Sequence, residues 1–195
     1  MFPFFKKKPI VPHVRLTGVI GNAGRFNKGM DLTGQRDILK KAFSIKKMSA
    51  YHLSSGGKRL RALLTLGSAR LAGYDTLGKR DVSLSACVEL IHNATLLHDD
   101  VIDESDLRRG IKTSNALWGN QSSILVGDYL LSRCFEIMVD DGDLEILKLL
   151  SSTSAKIAQG EVMQLEHKGE ADLLEETYID IINLKTAALF SASTK

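Results

Sequence analysis

Apolar residues surround almost the whole circumference of a helix predicted in the middle of the chain, apart from one polar and acidic stripe. At about 100° per residue, Glu89, His92 and Leu96 share that stripe with Asp99. The other positions are Leu90, Ile91, Ala94, Thr95, Leu97, Val101 and Ile102. A helix that is apolar nearly all round is buried. We therefore expect the acidic stripe to face an internal cavity, because buried charge must be compensated.

The stripe leads into HDDVIDESDLRRG at 98–110, which we interpret as part of the same helix-like run. Asp99 and Asp103 are four residues apart and lie on one face, with Asp100 beside them. Three carboxylates so placed repel one another unless a cation lies between them. Because clustered oxygen ligands suit Mg²⁺, the motif predicts a magnesium site at these three aspartates.

An arginine pair, Arg108 and Arg109, ends the same motif. Guanidinium groups bind phosphate oxygens in a bidentate way. Carboxylates for a metal and arginines for oxyanions together predict a diphosphate substrate. The alternative is a solvated helix end with ordinary salt bridges, which is typical of charged runs.

A second basic cluster, SSGGKRLRALL at 54–64, places two glycines directly before an apolar helical stretch. The basic residues in it are Lys58, Arg59 and Arg61. Glycines let a backbone approach a ligand closely, and a helix N-terminus with basic neighbours binds anions. The same pattern also begins ordinary surface helices, so this cluster alone leaves both readings open.

Composition agrees with a single soluble helical domain. The 195 residues are 44% hydrophobic, and all three prolines lie within the first 12 positions, so long helices are possible beyond them. We expect turns between helices at Gly142 and at HKGEADLLEE. A net charge of +3 gives no case for nucleic-acid binding.

The cysteines and the apolar runs predict a cytoplasmic protein. Cys87 and Cys134 lie in apolar helical contexts without metal-ligand spacing, so we expect buried thiols. No apolar stretch reaches the roughly 18 residues that span a bilayer. MFPFF precedes KKKP, the reverse of the order in a secretory signal.

Taken together, GGKRLRA and DDVIDESDLRRG resemble the hallmark motifs of the trans-type polyprenyl diphosphate synthases. The resemblance continues in order through WGNQSSILVGDYLLSRCFEI, AQGEVMQLEH and NLKTAALFSAS, and so covers residues 48–195. It implies an all-α helical bundle of the isoprenoid synthase type. Ala62 stands where the family usually has proline, a change of little weight at a helix start.

The resemblance also implies roles for individual residues. Isopentenyl diphosphate would be held by Lys58, Arg61, His92 and Arg109. The allylic diphosphate would be held by Arg108, Lys185 and Thr186, with Mg²⁺ on Asp99, Asp100 and Asp103 and with Gln164 nearby. Outside the family context the plainer readings are favoured, with His92 as a core histidine, Lys185 as a surface cation and Gln164 as a buried amide partner.

The implied chemistry is electrostatic. Mg²⁺ and the basic residues draw charge from the allylic diphosphate until its C–O bond ionises, the double bond of isopentenyl diphosphate attacks, and a proton is lost. In the family that the chain resembles, bulky residues just before the first aspartate limit the product length. Ala94 and Thr95 are small there, so the resemblance implies a long product, about C40 to C50, as in quinone side chains, whereas a short farnesyl or geranylgeranyl product would call for an aromatic residue. The resemblance further implies a homodimer and transient membrane contact through the product.

The first 47 residues depart from this family. IVPHVRLTGVIGNAGRF predicts a β-strand and a glycine-rich turn, and the segment resembles the N-terminus of signal-peptide-peptidase-like serine peptidases. The catalytic serine and lysine of such a peptidase would lie in sequence that this chain does not contain. A fusion near residue 47 and a divergent N-terminal extension both explain the segment, so we divide the chain into 1–47 and 48–195.

The family's second aspartate-rich motif would follow Lys195. Two functions of different classes therefore remain at this point. The chain is a Mg²⁺-dependent long-chain prenyltransferase, or it is a catalytically inactive fragment that at most associates with an intact synthase.

Overall fold

The computed structural model describes residues 45–74 and 79–195, most of which are helical. The helices are α1 over 45–54, α2 Leu60–Leu71, α3 Arg80–Ile102, α4 Ser114–Trp118, α5 Asn120–Asp141, α6 Leu144–Glu166, α7 Glu175–Ile182 and α8 Ala188–Ser193. The remaining elements are an antiparallel hairpin of β1 Leu107–Arg108 with β2 Ile111–Lys112, and a π-helical turn, Asn183–Ala187. The all-α prediction is confirmed.

The described residues belong to one unit of the chain, Ser44–Lys195. The β-strand and glycine-rich turn predicted near the N-terminus lie outside the described residues, as does nearly all of the peptidase-like segment. The division of the chain at residue 47 stays a prediction. Within the part that the structure describes, no helix is both long enough and apolar enough to cross a membrane.

Helix α3 is the centre of the core, as its nearly continuous apolar surface predicted. It packs mainly against α5 and α2. Its buried apolar residues are Ala86, Cys87, Val88, Leu90, Ile91, Ala94 and Leu97. Where α3 meets α5, Cys87 and Cys134 are fully buried and free, and each Sγ lies 3.6–3.8 Å from the other residue's carbonyl oxygen. The prediction of buried thiols is confirmed.

Helix α3 ends at Ile102, which corrects the prediction that the helical run continues to the arginine pair. The run of apolar residues stops there, Asp103 is the C-cap, and Glu104 has a positive φ of 49°. The chain then turns into the β1–β2 hairpin, whose two turn residues, Arg109 and Gly110, both have positive φ. This is the backbone conformation that a two-residue hairpin turn requires. The arginine pair is therefore presented by a hairpin and not by a helix.

Both predicted turns between helices are confirmed. Gly142 ends α5 in the left-handed conformation, with a φ of 75°. The Asp143 carboxylate then begins α6 by accepting hydrogen bonds from the backbone N–H groups of Glu145 and Ile146. A second turn separates α6 from α7 at 167–174.

The π-helical turn lies directly against α6, at Gly160. A Cβ atom on Gly160 would be 2.7 Å from the Lys185 backbone nitrogen and 2.9 Å from Leu184 Cβ. Such a separation is well inside van der Waals contact, so only glycine allows this approach. The turn carries Lys185, and Gly160 therefore fixes how close that lysine lies to α6.

Replacing Gly160 with alanine is expected to lower the free energy of unfolding by about 1–3 kcal/mol, since the added methyl overpacks the contact between α6 and the π-helical turn. Gly67 is the matched control, because it lies inside α2 and a Cβ atom added there would have nothing within 4 Å. Its replacement with alanine should raise the stability by about 0.5–1 kcal/mol through helix propensity. Urea unfolding followed by circular dichroism measures both. Equal effects of the two replacements would contradict this account of Gly160.

Candidate functional site

A cavity of about 480 Å³ opens between the start of α2, the middle of α3 and the hairpin. Its walls are Gly56, Gly57, Lys58, Arg59, Leu60 and Arg61 from the loop and α2, Glu89, His92, Asn93 and Leu96 from α3, and Arg109 and Phe190. Four of these residues are basic and one is acidic. The cavity therefore has the composition of a site for an anion.

The glycine pair brings the loop before α2 against the hairpin. Gly56 and Gly57 have φ of 88° and 139°, and the Arg109 guanidinium donates a hydrogen bond to the Gly56 carbonyl. A Cβ atom on Gly57 would lie 2.7 Å from Arg109 Nη1. The two basic motifs found in the sequence thus meet in one wall, and the second glycine adopts a backbone conformation there that other residues rarely adopt.

Arg61 is held on both sides inside the cavity. Its Nη1 lies 3.3 Å from His92 Nε2, and its guanidinium stacks over the Phe190 ring at 4.2 Å from the centroid. Because arginine has no acceptor, His92 Nε2 must be the accepting nitrogen, which leaves the ring proton on Nδ1. Burial, followed by the positive charges of Arg61 and Arg109, lowers the pKa of His92 to about 3. His92 is therefore neutral at physiological pH and orients Arg61.

A second cluster of charges lies farther along the same face of α3. Lys185 Nζ is 2.6 Å from Glu161 Oε2 and 3.6 Å from Asp99 Oδ2. Burial, followed by the negative charge of Glu161, raises the pKa of Asp99 to about 6. The other oxygen of Glu161 is buried and has no hydrogen-bond partner. The cluster thus has more acceptor oxygens than its lysine satisfies.

Asp100 points to a different partner from Asp99. It is 1% exposed, and its Oδ1 lies 2.8 Å from Arg108 Nε and 2.7 Å from Arg108 Nη2. The second oxygen of Asp100 is buried and has no hydrogen-bond partner. Asp103 is exposed at the end of α3. The three aspartates therefore differ in surroundings, although the sequence predicted one magnesium site at all three.

The donor set fits a magnesium ion that is shared with a ligand. Across 45–74 and 79–195, no group of three or more His, Cys, Asp or Glu side chains is arranged to hold a metal ion by itself. Mg²⁺ in enzymes is normally bound through one or two carboxylates and completed by substrate phosphates. The buried oxygens of Glu161 and Asp100 that have no hydrogen-bond partner are acceptors that such a partial site could use.

Comparison with known proteins decides the family. The Polyprenyl synthetase family model matches residues 43–195. This chain belongs to that family. It is 45% identical over 151 residues to octaprenyl diphosphate synthase of Escherichia coli (strain K12), an alignment that covers 77% of this chain and 46% of the relative.

Solved structures of polyprenyl synthetases agree with this assignment. A decaprenyl diphosphate synthase from Rhodobacter capsulatus superposes with a TM-score of 0.73 at 44% identity, covering 82% of this chain and 53% of the other. A polyprenyl synthase from Caulobacter crescentus CB15, complexed with calcium and isoprenyl diphosphate, gives 0.72 at 41% identity, covering 83% and 52%. The chain thus spans about half the length of the synthases it matches.

The remaining residues predicted from the polyprenyl synthetase resemblance lie in three kinds of surroundings. Lys58 is exposed at the mouth of the cavity, and Thr186 and Gln164 are exposed on the π-helical turn and on α6. Ala94 is buried in the core, and Thr95 donates its hydroxyl to the Ile91 carbonyl. Neither Ala94 nor Thr95 lines the 480 Å³ cavity. The roles assigned to all of these residues stay predictions.

Sequence reasoning did not predict the contacts of four residues of this polyprenyl synthetase site. Phe190 and Glu161 come from helices far away in sequence, so nothing local predicted that they contact Arg61 and Lys185. Arg59 and Glu89 were noted only as neighbours in their patterns, yet they form a salt bridge of 3.0 Å. The signal available for Glu89 was its place on the polar stripe of α3.

The stability of the chain is expected to fall on acidification. Burial lowers the pKa of His52 to about 4 and that of His92 to about 3. Each neutral histidine therefore stabilises the folded chain above its unfolded pKa near 6.5, and this contribution is lost as the pH falls towards the lowered pKa. The raised pKa of Asp99 acts in the opposite direction between its unfolded value and about 6. Between pH 6 and 4, the two histidines and Asp99 together should lower the free energy of unfolding by about 1.4 kcal/mol per pH unit, the slope for a net difference of one bound proton.

Urea unfolding across this pH range measures the slope. His92→Gln should flatten it, because one of the two titrating histidines is gone. His167→Gln is the control, since His167 lies beyond α6 and away from the cavity. The same slope in the wild type and in His92→Gln would contradict the assignment of a buried neutral His92.

Proposed function

We propose that this chain carries the two diphosphate sites of a prenyltransferase that joins isopentenyl diphosphate to an allylic diphosphate. The observation that carries the proposal is the placement of two charge clusters on one helix. His92, in the cationic cavity, and Asp99, in the carboxylate cluster, are seven residues apart on α3. That spacing is two helical turns, about 10 Å, which suits two substrates that react with each other.

The cationic cavity is proposed to hold isopentenyl diphosphate. Arg61 and Arg109 present planar guanidinium groups, and Lys58 adds a positive charge at the mouth of the cavity. Neutral His92 accepts a hydrogen bond from Arg61 and keeps its guanidinium facing the ligand. Fixed positive groups in a partly enclosed cavity bind a diphosphate more strongly than the same groups free in water.

The carboxylate cluster is proposed to hold the allylic diphosphate together with Mg²⁺. Asp99 and Asp103 would bind the ion, which supplies charge neutralisation to the leaving diphosphate. Lys185 and Thr186 would contact phosphate oxygens. Arg108, held by Asp100, would face the same group. The side chains thus stabilise the charge that develops on the leaving group as the C–O bond breaks, and no nucleophilic residue is required.

Product length is proposed to be long, about C40 to C50, because Ala94 and Thr95 are small side chains just before the first aspartate, where the resemblance places the residues that limit the growing tail. The names of the octaprenyl and decaprenyl relatives support this choice. Enlarging Thr95 to phenylalanine tests it, since a bulky ring in this place should shorten the product. Unchanged product length in Thr95→Phe would remove these two residues from the account of length.

Incubation with labelled isopentenyl diphosphate, an allylic primer and MgCl₂ tests the proposed activity. We expect incorporation of label into a polyprenyl product that EDTA abolishes. Asp99→Asn is the inactive control, and Asp172→Asn, exposed after α6, is the matched surface control. A wild-type chain that neither incorporates nor binds isopentenyl diphosphate would overturn the proposal.

A second candidate is a catalytically inactive partner of an intact synthase, and the 40% identity over 146 residues to heptaprenyl diphosphate synthase component 2 of Geobacillus stearothermophilus supports it, since that name describes one component of an enzyme. Gel filtration with a full-length relative, alongside the same assay, separates the two candidates. Binding without incorporation, together with co-elution of the chain with the full-length relative, favours the partner. Incorporation by the chain alone excludes it.

Association with a second copy is also proposed. Leu125 and Val139 on α5 are 65% and 66% exposed, and Ile124 and Phe135 are exposed beside them. Light scattering should give a dimer for the wild type and a monomer for Leu125→Lys. Leu71→Lys, a replacement at the exposed end of α2, is the control and should leave the dimer intact. A monomeric wild-type chain would contradict this proposal.

A further inference from the structure

We propose that Glu89 is a positioning residue for the cationic cavity: its carboxylate, on α3, holds the basic loop and the first turn of α2 in the conformation that binds a diphosphate. The inference rests on the proposed function of the cavity. Glu89 is 8% exposed and lines that cavity. Its Oε2 lies 3.0 Å from Arg59 Nη1, and its Oε1 accepts a hydrogen bond of 3.4 Å from the backbone N–H of Ala62.

The negative charge of Glu89 opposes the binding of an anion in the cavity. The other charged residues of the cavity wall are Lys58, Arg59, Arg61 and Arg109. A buried negative charge among them weakens the field that attracts a diphosphate. Glu89 therefore has a reason to be there other than ligand contact, and its two partners supply that reason.

Helix α2 begins without a side-chain cap of its own. Arg59 is its N-cap residue, has a φ of 50°, and makes no capping hydrogen bond to the helix. The backbone N–H groups of a first helical turn need acceptors from elsewhere. Glu89 supplies one of them at Ala62, from a neighbouring helix. This contact connects the start of α2 to the middle of α3.

Arg59 makes the other contacts that fix the start of α2. One of its terminal nitrogens donates to the Leu53 carbonyl and the other donates to Glu89, so its guanidinium joins α1 to α3. A left-handed backbone at a residue other than glycine persists only when its surroundings hold it. The two contacts of Arg59 provide that hold. Arg59 is therefore a positioning residue as well, while its neighbours Lys58 and Arg61 remain available to the ligand.

Isothermal titration calorimetry with isopentenyl diphosphate, at neutral pH and without metal, tests the inference. Glu89→Ala should weaken binding by at least about tenfold, since the loss of one hydrogen bond to a charged group changes affinity by this order. Glu89→Gln keeps an acceptor for Ala62 and should lie between the wild type and Glu89→Ala. Glu166→Gln, at the exposed end of α6, is the control and should bind like the wild type.

A double-variant cycle separates positioning from general loss of structure. Arg59→Ala should weaken binding to a similar degree, and the double variant should be no weaker than either single one, because the two residues act through each other. Circular dichroism of each variant checks that it is folded. Glu89→Gln keeps the test informative if Glu89→Ala does not fold.

The outcomes distinguish this inference from the proposed function. No binding of isopentenyl diphosphate by the wild-type chain overturns both. Binding by the wild type, with equal or tighter binding by Glu89→Gln, overturns the positioning role alone, because that is the result expected of a carboxylate that only repels the ligand. Additive losses in the double variant overturn the coupling between Arg59 and Glu89.

Discussion

Replacing Asp100 with alanine is expected to lower the free energy of unfolding by about 3–5 kcal/mol, the usual cost of breaking a buried ion pair by removing one partner. Asp100 is 1% exposed, and Arg108 holds one of its oxygens through two nitrogens at 2.7–2.8 Å. The replacement leaves the Arg108 side chain, which is 27% exposed, without its carboxylate. The hairpin that presents Arg108 and Arg109 should lose its attachment to α3.

Asp103 offers the matched control within the same motif. It is exposed at the C-terminal end of α3, where a negative charge faces the negative end of the helix dipole. Asp103→Ala should therefore change the stability by no more than about 0.5 kcal/mol. Urea unfolding of the two variants makes the comparison. The double variant Asp100→Ala/Arg108→Ala should recover part of the stability lost in Asp100→Ala, because no unpaired charge remains. Equal losses of stability in Asp100→Ala and Asp103→Ala, or no recovery in the double variant, would contradict the buried pair.

Replacing Arg61 with alanine is expected to weaken the binding of isopentenyl diphosphate by about 10–100-fold, the range for hydrogen bonds to a charged ligand. Arg61 lines the cavity, stacks on Phe190 and keeps a buried Nε with no hydrogen-bond partner. Its position is fixed before the ligand arrives, so little ordering is required on binding. Arg61→Lys keeps the charge but loses the planar stack, and it should be intermediate.

Calorimetry of three variants checks this prediction. Arg70→Ala is the control, because Arg70 is exposed in the last turn of the same helix and lies outside the cavity. It removes the same charge from the chain without removing a cavity wall. A loss of affinity in Arg70→Ala as large as that in Arg61→Ala would show that net charge, and not the cavity, attracts the ligand.

The sequence was sufficient to predict the parts of the site that depend on local order. The apolar circumference of α3 predicted a buried helix, and the spacing of GGKR and of the aspartates predicted basic and acidic clusters. These features follow from helical periodicity and from the chemistry of side chains only a few residues apart. The family motifs added candidate roles to the same positions.

The contacts between distant elements could not be predicted in the same way. That Asp100 binds Arg108 while Asp99 binds Lys185 depends on where α3 ends and on how the hairpin folds back. The π-helical turn that carries Lys185 depends on the space left by Gly160, which lies in α6, before α7. Each of these pairings is a tertiary contact between residues that are adjacent only in the folded chain.

One face of α3 is proposed to hold two diphosphates, one of them with a metal. Calorimetric titration of the chain with inorganic diphosphate, first in EDTA and then with MgCl₂, measures this directly. We predict one bound diphosphate in EDTA and two with MgCl₂, with the second site lost in Asp99→Asn and the first retained. The same stoichiometry with and without Mg²⁺, or no binding in either condition, would contradict it.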